Sequence, residues 1–263
     1  MTRQPDGFPP PAADSSRADA EGVARALVAE LERDLSLDQP AQISRRVDAA
    51  ERLEAYLLDA QRCTDGANDQ KAEALRQRAR AIQSRLQAAD SRLFDSIRSE
   101  VRQGPGGVRL AEWCATDSDS ATTPVPPRGH AYDHLDVLVA GVLRFDTPAE
   151  APGLPPEMVR YQPTPARHIF DLLSRVSLTR HDVLVDLGSG LGHVPLLAAI
   201  CTSARSVGVE LQKAYVDVAR RSASALGLVA VTFEQQDARL ADLSAGTVFY
   251  LYTPFTGAIL RSV

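Results

Sequence analysis

A glycine-rich turn is the feature of this sequence that most directly indicates chemistry. The apolar run Val183–Leu187 leads into Gly188, Gly190 and Gly192, and a helical pattern follows. Gly188 and Gly190 permit a positive φ angle and let a ligand approach the backbone closely. His193 stands where a dinucleotide-type motif would have its third glycine. Glycine is also common in purely structural turns. The acidic residues around this turn are therefore needed to indicate which ligand it binds.

Three acidic residues follow successive apolar runs. Asp186 stands two residues before the turn, where a carboxylate would repel a pyrophosphate and attract an ammonium or sulfonium cation. Glu210 ends the next apolar run, where an acid can accept hydrogen bonds from a ribose diol. Asp237 follows the third run and is placed to accept an adenine amino group. Each acid alone is typical of a capping or surface residue, but the set favours S-adenosylmethionine over NAD.

These residues resemble a known family. Asp186–Gly192, Gly208–Glu210 and Asp237 look like the cofactor motifs of class I S-adenosylmethionine-dependent methyltransferases. The motif D-L-G-S-G-x-G, followed by G-V-E, is similar to the motifs of the histone-lysine methyltransferases that lack a SET domain and of bacterial methyltransferases. The resemblance implies a Rossmann-like fold and cofactor contacts from Asp186, Gly188, Ser189, Gly190, Gly192, Glu210, Leu211, Asp237 and Ala238.

Two segments outside these motifs supply further candidates. Tyr161 and Thr164 belong to Y-Q-P-T-P, which looks like the segment that closes over the methionine end of the cofactor in such relatives. The alternative interpretation is a proline turn that only leads into the next helix. Tyr252 and Thr253 end the fourth apolar run, beside which class I enzymes transfer the methyl group. Thr253 replaces the Asn or Asp of the loosely similar N-P-P-Y/F motif, which disfavours methylation of a base amine. Tyr252, Thr253 and Tyr161 are candidate catalytic residues, and no base is assigned.

The pattern of the whole chain predicts where these residues lie. Residues 1–16 are proline-rich and predict a disordered tail. Helical periodicity over 17–103 predicts a bundle or coiled coil, which could pack, dimerise or recognise a substrate. A linker over 104–130 and a connecting segment over 131–165, with a helix or strand around 132–144, precede alternating strands and helices over 166–263. We therefore expect an α/β, Rossmann-like, doubly wound parallel sheet preceded by an α-helical bundle.

The composition excludes several classes of protein. A net charge of −5 gives no basic footprint, so nucleic acid is an unfavoured partner. Three scattered cysteines predict a reducing compartment and no structural metal site. The longest apolar run, Val194–Cys201, is too short to cross a bilayer, and the N-terminus has no signal-peptide core. We expect a cytoplasmic protein without membrane contact, which could form a homo-oligomer through its N-terminal helices.

Only four strands can be assigned, where the family normally has seven. We therefore expect a C-terminally truncated chain, in which strand four is an exposed sheet edge beside the site. The predicted function is transfer of a methyl group from S-adenosylmethionine to an unidentified protein side chain or small molecule. The alternative is a non-catalytic cofactor-binding or interaction protein with a vestigial methyltransferase domain.

Overall fold

The computed structural model describes residues 13–62, 70–104, 110, 132–148, 157–159 and 161–263. Its helices are α1 (Ala13–Arg33), α2 (Ile43–Arg62), α3 (Gln70–Gln103), α4 (His134–Leu143), α5 (Ala166–Val176), α6 (His193–Cys201), α7 (Lys213–Ala225) and α8 (Gly257–Ser262). Its strands are β1 (Val183–Leu187), β2 (Arg205–Glu210), β3 (Val231–Gln235) and β4 (Val248–Tyr250). The chain divides into two compact units, residues 1–90 and 91–263.

The first unit packs α1, α2 and the first part of α3 around an apolar core. The predicted period of α3 is confirmed: its apolar positions Leu75, Ala79, Ile82, Leu86, Ala89, Leu93, Ile97 and Val101 are all buried. Two short 3₁₀ turns connect α1 to α2. The buried Arg46 guanidinium donates hydrogen bonds to the Leu37 and Gln39 carbonyls in this connection and to the Asp90 carboxylate at 2.6 Å. One charged side chain therefore fixes an otherwise irregular connection.

The second unit is built on a parallel sheet with the strand order β3-β2-β1-β4. The expected α/β, Rossmann-like fold is confirmed. All five residues of β1 are buried, because this strand lies between two neighbours and under helices. From β1 the sheet extends to β2 and β3 on one side and to β4 on the other. Ligands of open parallel sheets bind at the carboxyl ends of the strands where the order reverses in this way.

Helix α4 holds the segment that precedes α5. Its N-terminus carries a capping box, in which Asp133 accepts from Leu135 N–H and Asp136 accepts from Asp133 N–H. The Asp136 carboxylate also accepts the N–H of Ala166, the first residue of α5, at 2.8 Å. The Tyr132 hydroxyl donates to the Pro163 carbonyl at 2.8 Å. These bonds fix residues 161–165 beside the sheet.

Some sequence predictions need correction at their ends. Helix α1 begins at Ala13, four residues before the predicted start at Arg17, since the prolines that would stop it lie at positions 9–11. The rest of the predicted tail, 1–12, lies outside the described residues, as does the predicted linker except for Gly104 and Leu110. The ambiguous segment around 132–144 is a helix. The predicted domain boundaries and the truncation stay predictions. None of the described helices is long and apolar enough to span a membrane.

Candidate functional site

The glycine turn after β1 has the conformation that its sequence predicts. Gly188 and Gly190 have φ angles of 83° and 53°. The N–H groups of Gly188 and Ser189 donate to the Val209 carbonyl at 2.9 and 3.1 Å, so the turn is tied to β2. A Cβ atom on Gly188 would lie 2.2 Å from Cβ of Pro254. Only glycine fits at this position. Because Gly188 has no side chain, Pro254 in the segment after β4 packs directly against the turn.

Gly192 has a different place from the other two glycines. Its φ angle is 85°, and it directly precedes α6. A Cβ atom there would lie 2.5 Å from the Phe233 ring on β3. Gly192 therefore serves close packing between α6 and the sheet. Neither Gly190 nor Gly192 lines the cavity described next.

A cavity of about 510 Å³ opens at the carboxyl ends of the strands. The predicted site residues that line it are Tyr161, Thr164, Asp186, Gly188, Ser189, Glu210, Leu211, Asp237, Ala238, Tyr252 and Thr253. They come from the carboxyl ends of β1 and β2, from the turns that follow the four strands and from the segment before α5. The fold thus brings together residues that lie more than 90 positions apart in the chain.

Two buried acids face this cavity. Burial raises the pKa of Asp186 to about 8, and the nearby Glu210 carboxylate adds to the rise. Burial also raises the pKa of Glu210, although backbone N–H groups oppose the shift. Those N–H groups include Gly190 at 3.0 Å and Gln212 at 2.8 Å. A positively charged ligand would stabilise the ionised form of both acids, so this pair favours such a ligand.

The third acid, Asp237, has a different environment. Its side chain accepts the backbone N–H of Arg239 at 3.0 Å and pairs with the Arg239 guanidinium at 2.6 Å. This partner lowers the pKa of the Asp237 carboxyl. Asp237 also caps the short 3₁₀ helix Ala238–Leu240 that borders the cavity. It is an ionised acceptor at the end of the site farthest along the sheet from β4.

The segment before α5 covers the glycine turn. A Cβ atom on Gly190 would lie 2.2 Å from the Tyr161 ring, so the ring rests on the turn. The Tyr161 hydroxyl lies 3.2 Å from Nδ1 of His193, and its ring centroid lies 5.2 Å from that of Tyr215. Thr164 is buried, and its hydroxyl lies 3.2 Å from the Tyr250 hydroxyl. Y-Q-P-T-P is therefore a wall of the cavity as well as the approach to α5.

The chain after β4 closes the other wall. Thr253 adopts a left-handed φ of 46°, which is costly for a residue branched at Cβ. The N–H of Val159 donates to the Pro254 carbonyl at 3.1 Å, and Met158 forms an antiparallel bridge with Phe255. The Glu157 carboxylate accepts N–H groups at the start of α8. Residues 157–159 thus hold the turn at 252–256 against the site.

Sequence reasoning missed several residues that line the cavity. Tyr250 could have been found, since it lies in the same apolar run as the candidate Tyr252, two residues before it. Tyr215, Met158 and Arg239 gave no comparable signal in the sequence. His193, which stands where a dinucleotide-type motif would have its third glycine, is the first residue of α6 and lines the cavity.

Comparison with known proteins agrees with this fold. Residues 160–240 match the family model described as histone methylation protein DOT1, which is less than half of the chain. No curated protein matches the chain. The second unit has the fold and the motifs of the class I S-adenosylmethionine-dependent methyltransferases.

Three solved structures match parts of the chain. The RNA methyltransferase from Salinibacter ruber, in complex with S-adenosyl-L-homocysteine, shares 37% identity over 34% of this chain and 60% of its own, with a TM-score of 0.33. A protein-L-isoaspartate O-methyltransferase shares 13% identity over 55% and 47%, with a TM-score of 0.35. Coclaurine N-methyltransferase, bound to N-methylheliamine and S-adenosylhomocysteine, shares 13% over 60% and 50%, with a TM-score of 0.25. The chain thus spans about three fifths of the first of these proteins.

Proposed function

We propose that the second unit binds S-adenosylmethionine in this cavity and transfers its methyl group to a protein side chain or small molecule beside Tyr252 and Thr253. One observation carries the proposal: Asp186, Glu210 and Asp237, from the ends of three successive parallel strands, line one cavity with the glycine turn. Carboxylates so arranged suit a ligand with a cationic end, a ribose and an adenine. The match of residues 160–240 to a methyltransferase family covers these same residues and supports the proposal.

The polar atoms of the cavity fit such a ligand. The Ser189 hydroxyl and Oε1 of Gln212 are buried and have no hydrogen-bond partner, although both residues line the cavity. Buried polar atoms are nearly always hydrogen-bonded in folded proteins, so a polar ligand would satisfy them. The cavity volume also lies within the range of about 300–1,000 Å³ that is common for small-molecule sites.

The residues of this chain would act mainly by orientation and electrostatics. The cofactor supplies a methyl group already activated by its positive sulfur. Asp186 would attract the cationic end, Glu210 would accept from the ribose hydroxyls, and Asp237 would accept from the adenine amino group. Tyr161 and Thr164 would exclude water above the turn. Holding donor and acceptor in line lowers the barrier without a protein nucleophile.

Calorimetric titration tests the cofactor site. We expect S-adenosylmethionine and S-adenosylhomocysteine to bind the wild-type chain with one site, and the Asp186→Ala/Glu210→Ala variant to bind at least tenfold more weakly. Glu234→Ala is the matched control, because Glu234 is an exposed acid on the neighbouring strand and does not line the cavity. Undiminished binding in the double variant would contradict the proposed site.

A second assay separates an enzyme from a binding protein. The wild-type chain is incubated with methyl-labelled cofactor and a lysate divided into protein, RNA and small-molecule fractions. Label in the protein or small-molecule fraction is the expected result. Binding without transfer to any fraction would support the non-catalytic alternative, and label confined to RNA would contradict the proposed acceptor class.

A further inference from the structure

His193 occupies an unusual position for a titratable residue. It follows Gly192 directly, begins α6 and lines the cavity. Its ring packs against Phe145, with ring centroids 4.6 Å apart and a tilt of 54°. Burial lowers the pKa of His193 to about 4, so the imidazole is neutral at pH 7. A neutral imidazole has one nitrogen that accepts and one that donates.

The Tyr161 hydroxyl contacts one nitrogen of this imidazole. This hydroxyl lies 3.2 Å from Nδ1 of His193, and the backbone N–H of Leu191 lowers the pKa of the same hydroxyl against the larger effect of burial. The Leu191 N–H acts as a donor to the phenolic oxygen, and the hydroxyl hydrogen can then be donated to an acceptor such as Nδ1. In that arrangement His193 carries its proton on Nε2.

Apart from the contacts of its hydroxyl with His193 and the Leu191 N–H, the Tyr161 ring is held by packing. It rests on the Gly190 backbone, where a Cβ atom would lie 2.2 Å from the ring, and it contacts Tyr215. These contacts restrict the ring but do not fix its rotation about the Cα–Cβ bond, because planar contacts are weakly directional. The bond to His193 is directional and joins the segment before α5 to the first residue of α6, 32 positions further along the chain.

We propose that His193 is a positioning residue, which holds the Tyr161 ring over the glycine turn through its Nδ1 atom and so completes the wall at the methionine end of the cavity. This inference rests on the proposed function. With Nδ1 engaged by Tyr161, His193 does not serve as the base in methyl transfer. Its contribution to cofactor binding passes through Tyr161.

Two readouts test this role. In the free protein, ¹⁵N NMR of the histidine side chains reports the tautomer, and we expect His193 to be protonated on Nε2 in the wild type with an altered signal in Tyr161→Phe. In calorimetry with S-adenosylhomocysteine, we expect His193→Phe and Tyr161→Phe each to weaken binding about fivefold to tenfold. The double variant should bind no more weakly than Tyr161→Phe, because Tyr161→Phe already removes the bond to His193.

The controls separate the possible failures. His193→Gln keeps an acceptor and should bind within about threefold of the wild type, and His181→Phe changes an exposed histidine away from the cavity and should have no effect. Weaker binding in His193→Phe but not in Tyr161→Phe would overturn the inference, since His193 would then act on the ligand itself. A proton on Nδ1 would also overturn it. Failure of the wild type to bind overturns the proposed function, whereas wild-type binding unaffected by both variants overturns the inference alone.

Discussion

The Glu210 carboxylate accepts the backbone N–H of Gly190 at 3.0 Å. The acid that ends β2 therefore holds the glycine turn that follows β1, in addition to any ligand that it binds. The Gln212 N–H, at 2.8 Å on the other carboxylate oxygen, completes this arrangement. Glu210 thus holds the backbone that shapes the cavity and also places a carboxyl group in it.

Replacing Glu210 should separate these two roles. Glu210→Gln keeps one acceptor oxygen and should lower the free energy of unfolding by about 1 kcal/mol, whereas Glu210→Ala removes both and should lower it by about 2–3 kcal/mol. Denaturant unfolding followed by circular dichroism measures the change. Glu234→Ala should stay within about 0.5 kcal/mol of the wild type. If Glu210→Ala were as stable as the wild type, the turn would not depend on this carboxylate.

The raised pKa of Asp186 predicts that the stability of the free protein depends on pH. Between about pH 4 and pH 8 the folded state keeps a proton on Asp186 that the unfolded chain releases. Rising pH therefore favours unfolding through this group, by a slope on the order of 1 kcal/mol per pH unit, and the effect levels off above pH 8. Asp186→Asn should remove this slope and should be more stable than the wild type at pH 7.

Unfolding midpoints at pH 5, 6, 7 and 8 measure this effect. The difference in stability between Asp186→Asn and the wild type should grow with pH over this range. Asp182→Asn serves as the control, because the hydrogen bonds that the Asp182 carboxylate accepts from Thr179 lower its pKa and so place its titration below this range. A difference between Asp186→Asn and the wild type that does not change with pH would show that Asp186 is ionised throughout.

Alanine at Gly188 should disrupt the site through a contact, not only through backbone strain. The added Cβ would lie 2.2 Å from Cβ of Pro254, an atom that cannot move without the backbone. We expect a loss of about 3 kcal/mol in unfolding free energy and loss of cofactor binding. Gly227 is the matched control, since its φ is 68° and nothing lies within 4 Å of the added atom. Gly227→Ala should lower the unfolding free energy by only about 1 kcal/mol. Equal losses would contradict the contact with Pro254.

Replacing Thr253 tests whether the methyl acceptor binds beside this residue. Glycine relieves the left-handed strain at this position but adds freedom to the unfolded chain, so Thr253→Gly should change the unfolding free energy by less than about 1 kcal/mol. We expect cofactor affinity within twofold of the wild type and a methyl-transfer rate at least tenfold lower. Thr232→Ala, on an exposed position of β3, controls for general effects. An unchanged rate in Thr253→Gly would exclude Thr253 from the acceptor side.

The first unit offers a test of stability that does not involve the cavity. The Arg46 side chain is fully buried and holds two carbonyls and Asp90. Arg46→Ala would leave these acceptors without their donor and should lower the unfolding free energy by about 3 kcal/mol. Arg25→Ala, which removes an exposed pair with Glu21, should lower it by less than about 0.5 kcal/mol. A loss below 1 kcal/mol for Arg46→Ala would show that water replaces the guanidinium.

The sequence predicted those parts of the structure that depend on local patterns. Buried strands read as short apolar runs, so β1 was predicted to its exact residues, Val183–Leu187. The period of α3 likewise indicated its buried face. What it did not predict are contacts between distant residues, such as Tyr161 with His193 or Val159 with Pro254. These contacts depend on how α4 and β4 pack near the glycine turn. The periodicity of apolar residues along the chain does not predict such packing.

Photo-crosslinking tests directly whether this cavity holds S-adenosylmethionine. The wild-type chain is irradiated with radiolabelled S-adenosylmethionine, digested and sequenced by mass spectrometry. We expect label on peptides that contain residues 186–193, 210–215, 236–239 or 250–255, and loss of that label with excess unlabelled S-adenosylhomocysteine. Label confined to the helices of the first unit, or label that excess S-adenosylhomocysteine does not displace, would contradict it.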